Sequence, residues 1–152
     1  MELVDGASYL EDARGLIREY TEWFGRDLAF QDLENELDHI EDKYLPPAGH
    51  LVVAIDDSER VVGCVAYHRL DPSTAEMKRL YVRPIERGHH LGERLARRVM
   101  ELAREDGYTR MVLDTVAPLG AAVSLYRKLG FEEIEPYYHN PFEDVIYFGI
   151  DL

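Results

Sequence analysis

Residues 75–95 read AEMKRLYVRPIERGHHLGERL and contain the end of a strand, a short turn and the beginning of a helix. Before the turn, Met77, Leu80 and Val82 are apolar among charged neighbours, and the aromatic and β-branched residues that follow are typical of a strand. After the turn, apolar side chains recur every three or four positions, which is the period of a helix with one buried face. The stretch therefore predicts a strand, a loop and a helix in succession.

The loop of this unit is rich in glycine and histidine. It consists of Arg87, Gly88, His89, His90, Leu91 and Gly92. Consecutive backbone N–H groups at the beginning of a helix have no acceptor within the helix, and the helix dipole is positive at that end, so such a loop attracts phosphate. We interpret residues 87–92 as a cradle for a pyrophosphate.

Two helices are predicted ahead of this unit. Residues 8–11 (SYLE) match a capping box, and the apolar period after them predicts a helix over residues 10–24 that ends at Gly25. A second, shorter helix is predicted over residues 32–43. Residues 51–55 and 61–70 then predict an antiparallel hairpin that leads into the central strand.

The remaining chain adds a parallel neighbour to the central strand. Residues 108–113 predict a strand, and a helix between two strands implies a right-handed crossover with those strands parallel. A helix over residues 121–129 and strands over residues 131–134 and 145–152 follow, with an aromatic loop, residues 135–141, between the strands. We expect a single α+β domain over residues 1–152, with a mixed, mostly antiparallel sheet and one parallel βαβ crossover.

Composition limits the possible partners and location. The chain has 152 residues, 46% of them apolar, and a formal charge of −13, which argues against nucleic acid as a partner. Neither a basic amphipathic helix nor a long apolar run suggests contact with a membrane. The single cysteine, Cys64, and the absence of a signal-peptide pattern predict a cytoplasmic protein.

Three separated motifs resemble the GNAT superfamily of N-acetyltransferases. They are YVRP at residues 81–84, the Arg-Gly-x-x-x-Gly loop at residues 87–92 and LYRKLGF at residues 125–131. The resemblance implies a GNAT-like acyl-CoA N-acyltransferase fold and acetyl-CoA as the cosubstrate. His90 stands where the family loop has its first glycine; histidine tolerates positive φ comparatively well, so we expect the loop to keep its shape.

The same resemblance implies roles for individual residues. Tyr126 matches the tyrosine that protonates the departing CoA thiolate, although a core tyrosine would also suit its helix. The main-chain groups of Leu80 and Val82 would pair with the pantetheine arm as an added strand does. Glu76 stands where relatives often place a general base, and an exposed strand carboxylate is the alternative.

The acceptor prediction rests on aromatic and acidic side chains. The predicted acceptor-binding residues are Phe30, Tyr137, Tyr138 and Asn140, and with the nearby acids they favour a small cationic amine, polyamine-like or amino-acid-derived. A protein amine, or a CoA-binding module without catalysis, is the alternative. Tyr137 and Tyr138 could instead cover the sheet edge or form a homodimer contact.

Other chemistry-bearing residues are assigned to structure. We expect Cys64 to be a buried small side chain rather than a nucleophile, and the neighbouring His89 and His90 to hold no metal, because adjacent side chains diverge. Tyr20, Trp23 and Phe24 are interpreted as part of the buried stripe of the first helix.

Overall fold

The computed structural model describes residues 1–27 and 32–152, and these form five α-helices and seven strands. The helices are Leu10–Phe24 (α1), Leu33–Asp38 (α2), Ile40–Tyr44 (α3), Leu91–Glu105 (α4) and Gly120–Lys128 (α5). The strands are Glu2–Asp5 (β1), Gly49–Ile55 (β2), Val61–Arg69 (β3), Thr74–Val82 (β4), Arg110–Val116 (β5), Glu132–Glu133 (β6) and Val145–Asp151 (β7).

The strands form one mixed sheet in the order β1-β2-β3-β4-β5-β7-β6. Neighbouring strands are antiparallel except for β4 and β5, which are parallel and joined by α4. This arrangement confirms the predicted α+β fold with one βαβ crossover. After α5, the chain forms β6 at one edge of the sheet and then β7, which lies between β6 and β5.

Each face of the sheet carries its own apolar core. On one face, α4 packs against β2, β3 and β4 through Leu91, Leu95 and Val99, which are almost fully buried. The opposite face is covered by α1, α2 and α3. Its buried side chains include Leu16, Ile17, Leu37, Ile40 and Tyr44.

A β-bulge changes the direction of the side chains along β4. Cys64 of β3 is opposite Tyr81, while Ala66 is opposite Lys78, so β4 has one residue more than β3 between these pairs, and Arg79 has φ 62°. Side chains of a regular strand alternate between faces, but after the bulge the alternation is shifted. Met77 consequently belongs to the α4-side core, and Tyr81 to the α1-side core.

Some of the predicted boundaries are wrong at the N-terminal end. The chain begins with strand β1, which has only four residues and gives no periodic signal. Asp5, rather than Ser8, caps the first helical turn, since its carboxylate accepts a hydrogen bond from Ala7 N at 2.8 Å and Ser8 lies inside that turn. The second predicted helix is two helices, because His39 leaves the helical conformation at φ −129°.

Within residues 1–27 and 32–152, no helix is both long enough and apolar enough to cross a membrane.

Candidate active site

A cleft opens in the sheet where β4 and β5 separate. The two strands are paired only from Thr74 opposite Arg110 to Glu76 opposite Val112, although both continue beyond this point. The cleft has a volume of about 680 Å³ and is lined by the two diverging strand ends, the loop before α4, the first turns of α4 and α5, and the end of α1. The β5-facing side of β4 beyond Glu76 therefore has no neighbouring strand among the described residues, which leaves main-chain groups available for a ligand.

One end of the cleft is the glycine- and histidine-rich loop. Gly88 has φ 91° and His90 has φ 57°, which confirms that histidine takes up the left-handed conformation expected there. A Cβ atom on Gly92 would meet only Leu125 Cδ2, at 3.7 Å, so this position does not need glycine for packing within the protein. The first turn of α4 begins at Leu91, and its N–H groups precede any intrahelical acceptor. This end of the cleft is therefore suited to bind an anionic group of a ligand.

Arg87 is held against the end of α1. Its Nε atom donates a hydrogen bond to the Val82 carbonyl at 3.1 Å, and its guanidinium lies 4.6 Å from the centre of the Trp23 ring. In this arrangement the Val82 carbonyl accepts a hydrogen bond from Arg87. A ligand that pairs with β4 in the way the resemblance implies must displace this hydrogen bond.

Tyr126 of α5 lines the cleft. It is 7% exposed and packs edge-on against Phe131, with ring centres 5.9 Å apart. Burial raises its pKa above the usual value, and the charge of Asp114 acts in the same direction. The phenol is thus protonated at neutral pH and is able to donate a proton.

Glu76 accepts hydrogen bonds from both of its neighbours. His68 Nε2 lies 2.6 Å from one carboxylate oxygen, and the Tyr137 hydroxyl donates to the other at 2.5 Å. Burial would raise the pKa of Glu76, but the bond to His68, the charge of Lys78 and the bond from Tyr137 outweigh burial and lower it to about 2. Glu76 is therefore charged, and it is a weak base in this state.

Asp114 is a second carboxylate on the same face of the sheet, and sequence reasoning missed it. It lies on β5, lines the cleft and accepts a hydrogen bond from the Tyr138 hydroxyl, which in turn accepts one from Asn140 Nδ2 at 2.9 Å. Burial raises the pKa of Asp114, with Tyr138 and Lys78 opposing it. Its signal in the sequence is a lone acid inside the apolar run MVLDTV.

The structure brings most of the predicted site residues into the cleft wall. Those that line it are Leu80, Val82, Arg87, Gly88, His90, Leu91, Gly92, Tyr126 and Asn140. The described lining residues do not include Glu76, His89, Tyr137 or Tyr138. The hydroxyl of Tyr137 donates a hydrogen bond to Glu76, and that of Tyr138 donates one to Asp114. Phe30 lies outside the described residues.

The assignment of the α1 aromatic residues to the buried stripe is correct only in part. Tyr20 packs against the α1-side core and also lines the cleft, whereas Trp23 and Phe24 line the cleft, and Trp23 is 45% exposed. The last turns of α1 are less enclosed than its middle, where Ala13, Leu16 and Ile17 are fully buried, so the apolar stripe continues into a wall of the cleft. The periodicity of the sequence does not distinguish these two environments.

Cys64 has the surroundings expected of a buried small side chain. Cys64 is fully buried, its Sγ donates to Arg79 O at 3.2 Å, and burial raises its pKa to about 12, which makes it a poor nucleophile. In the part of the chain that the structure describes, no group of three or more His, Cys, Asp or Glu side chains could hold a metal ion.

Comparison with known proteins identifies a family of similar sequences. Residues 15–131 match the Acetyltransferase (GNAT) family. An uncharacterized N-acetyltransferase of Schizosaccharomyces pombe is 44% identical over 144 residues, which cover 94% of this chain and 88% of that protein. N-acetylaspartate synthetase of Danio rerio is 36% identical over 103 residues, which cover 67% of this chain but only 36% of the longer protein.

A solved structure shows the same similarity in three dimensions. The crystal structure of an acetyltransferase from Streptococcus agalactiae superimposes with a TM-score of 0.81 at 29% identity, over 99% of this chain and 98% of that one. The fold of this chain is thus one that an acetyltransferase also has.

Proposed function

Because this chain belongs to the GNAT family of acetyltransferases, we propose that it transfers the acetyl group of acetyl-CoA directly to the primary amine of a small molecule. The observation that carries the proposal is the cleft between β4 and β5. It joins an anion-binding helix start, a strand edge without a partner, the phenol of Tyr126 and the carboxylate of Asp114 in one continuous wall.

The described residues suit acetyl-CoA at one half of the cleft. The loop at residues 87–92 and the start of α4 would hold the pyrophosphate, and the main chain of Leu80 and Val82 would hold the pantetheine arm. Acetyl-CoA supplies an activated thioester. The protein's contribution is to orient the two reactants and to move protons.

We assign the two proton transfers to residues on opposite sides of the sheet. As the nitrogen–carbon bond forms and the carbon–sulfur bond breaks, Tyr126 donates its proton to the sulfur and regains one from solvent. Asp114 accepts the proton that the acceptor ammonium must lose before its nitrogen can attack, and the second N–H proton passes to solvent once the nitrogen–carbon bond has formed. Its raised pKa and its place in the cleft wall favour it over Glu76, the base predicted from the sequence, whose pKa of about 2 makes it weak.

Aromatic side chains and acids on the α1 side of the sheet support a small amine that carries a positive charge before it reacts. Tyr20 lines the cleft and offers a ring to such a cation, and Asp114 offers opposite charge. Trp23, Phe24 and Phe142 also line the cleft, but the guanidinium groups of Arg87 and Arg26 already lie over their rings. The name of the Danio rerio relative indicates that its product is an acetylated amino acid, which supports an amino-acid-derived acceptor. A cytoplasmic location is part of the proposal, and the buried free thiol of Cys64 is compatible with it.

The proposal is tested by incubating the purified protein with acetyl-CoA and a panel of primary amines, including amino acids, diamines and a protein with lysine side chains. We expect amine-dependent release of free CoA thiol and an acetylated small molecule in the mass spectrum. Binding of acetyl-CoA without any turnover would instead indicate a CoA-binding module. Acetylation of the protein alone would indicate a protein acceptor.

A further inference from the structure

We propose that Lys78 binds a carboxylate of the acceptor, so that the amine acetylated by this chain belongs to an amino acid whose carboxylate is free. This proposal rests on the proposed function and names the acceptor class of the same cleft. The observation behind it is a lysine in the cleft wall that has no ion-pair partner in the described chain.

Lys78 faces the acceptor side of the sheet. It is opposite Ala66 of β3, whose side chain belongs to the α1-side core, and it follows Glu76 at the spacing that places two strand residues on one face. The side chain lines the cleft and is partly buried. It therefore meets the acceptor half of the cleft rather than the core beneath α4.

Two other cations on this face, Arg79 and Lys43, have a carboxylate partner, whereas Lys78 has none among the described residues. Arg79 Nε lies 2.8 Å from a carboxylate oxygen of Glu36, and Lys43 Nζ lies 2.8 Å from the other oxygen. In residues 1–27 and 32–152, no carboxylate oxygen lies within 4.0 Å of the Lys78 ammonium. Residues 28–31 read LAFQ and contain no acid, so they cannot supply one.

An ammonium in this environment gains from a bound anion. Burial lowers the pKa of Lys78, and the charge of Arg79 lowers it further, while Glu76 and Asp114 oppose the change. The Lys78 ammonium keeps access to the cleft but is partly desolvated there without a hydrogen-bonded partner among the described residues, and a ligand that supplies the partner offsets the cost of that desolvation. A carboxylate does so with a charge-assisted hydrogen bond.

The charges on the two cleft walls match a zwitterion. Asp114 on β5 carries a negative charge when it is ionised, and Lys78 on β4 carries a positive one. An amino acid can direct its ammonium to Asp114 and its carboxylate to Lys78. A polyamine could also place one ammonium beside the carboxylate of Asp114. Its second ammonium would then approach Lys78, and like charges at short range repel. The arrangement thus favours an amino acid over a polyamine.

The test compares acceptors that differ only in the carboxylate: an amino acid, its primary amide and the corresponding decarboxylated amine. With wild-type protein, we expect kcat/KM for the best amino acid to exceed that for its amide by about tenfold or more. Lys78→Gln should raise the KM of the amino acid by about 10–100-fold, with little change for the amide. Lys78→Arg, which keeps the charge, should retain most of the preference.

Lys43→Gln is the matched control, because Lys43 lies on the same face, pairs with Glu36 and does not line the cleft in the described structure. It should keep the amino-acid preference, and all variants should keep their melting temperature within a few degrees. Equal losses on amino acid and amide, or a raised acetyl-CoA KM in Lys78→Gln, would overturn the assignment. Rapid turnover of diamines with none of amino acids would overturn the acceptor class alone, whereas no turnover of any amine would also remove the proposed function.

Discussion

His68 and Glu76 are opposite one another on β3 and β4, and His68 Nε2 lies 2.6 Å from Glu76 Oε1. The other oxygen of Glu76 accepts the hydroxyl of Tyr137 at 2.5 Å. Both oxygens of this carboxylate are therefore engaged within the protein. Asp114, by contrast, lines the cleft, and burial raises its pKa. The two acids consequently differ in their suitability as a base.

Asp114→Asn should lower kcat by about 10²-fold or more, because a positioned base contributes on this order. The variant should also lose the decline of kcat/KM at acidic pH that reports protonation of the base. Glu76→Gln is the matched control and should keep that decline, with kcat within about tenfold of wild type. The opposite ranking of the two variants would return the role of base to Glu76.

Tyr126→Phe should lower kcat by about 10²-fold with little change in the KM for acetyl-CoA, because it removes one hydroxyl and keeps the ring packed against Phe131. Tyr108→Phe serves as the control, since Tyr108 contacts Tyr67 and does not line the cleft in the described structure. Steady-state kinetics of both variants provide the measurement. Tyr126→Phe activity within a few-fold of wild type would leave this tyrosine with a packing role.

Gly92→Glu should abolish the rise in melting temperature that acetyl-CoA produces, because a negative side chain would stand against the pyrophosphate at the start of α4. Gly92→Ala is the control for folding. Its Cβ atom would meet only Leu125, at an ordinary contact distance of 3.7 Å, so the melting temperature without ligand should change little. An unchanged acetyl-CoA shift in Gly92→Glu would contradict the assignment of this loop.

Asp144→Asn should raise the acceptor KM and leave the acetyl-CoA KM unchanged. Arg26 makes two hydrogen bonds of 2.7 Å to Asp144, and its guanidinium lies 5.0 Å from the Phe142 ring, so this pair connects the chain after α1 to the loop before β7. Phe24 and Phe142, which line the cleft, are close to this connection. The exchanged pair Arg26→Asp with Asp144→Arg should recover part of the loss, and no recovery would indicate that the ion pair does not position the wall.

The order of the elements was predictable from the sequence, because apolar period and turn residues report it directly. The strand, loop and helix around residues 75–95 are confirmed as β4, the loop before α4 and α4 itself. The bulge at Arg79 was not predictable, since positive φ at an arginine has no sequence signal, and it determines that Tyr81 faces α1. Strand β1 was missed for its shortness.

The cofactor half of the site was easier to predict than the acceptor half. The residues of the loop at 87–92 are adjacent in sequence, so they are also adjacent in space, and the sequence alone predicts that they form one site. The acceptor half joins Lys78, Asp114 and the end of α1, which are distant in sequence and meet only because β4 and β5 separate under α1. Lone charged residues within strands carry no motif, and their roles depend on which face they occupy.

The last prediction concerns the buried ion pair between Glu36 of α2 and Arg79 of the β4 bulge. Glu36 is 5% exposed, and Arg79 Nε lies 2.8 Å from its Oε2 atom. Burial would raise the pKa of Glu36, but Arg79 and Lys43 lower it from 4.5 to about 2. At about 1.4 kcal/mol per pKa unit, this lowering stabilises the folded state by about 3 kcal/mol when Glu36 is ionised in both states.

Because the folded-state pKa is the lower one, this contribution is present above pH 4.5 and is lost as the pH falls toward 2. Glu36→Gln should therefore unfold at lower urea concentration than wild type at pH 7, with a difference of about 3–5 kcal/mol that decreases toward pH 3. Glu34→Gln, an exposed neighbour on α2, should change the free energy of unfolding little at either pH. A difference for Glu36→Gln that stayed constant between pH 7 and pH 3 would show that lost packing, rather than the charge of Glu36, destabilises the variant.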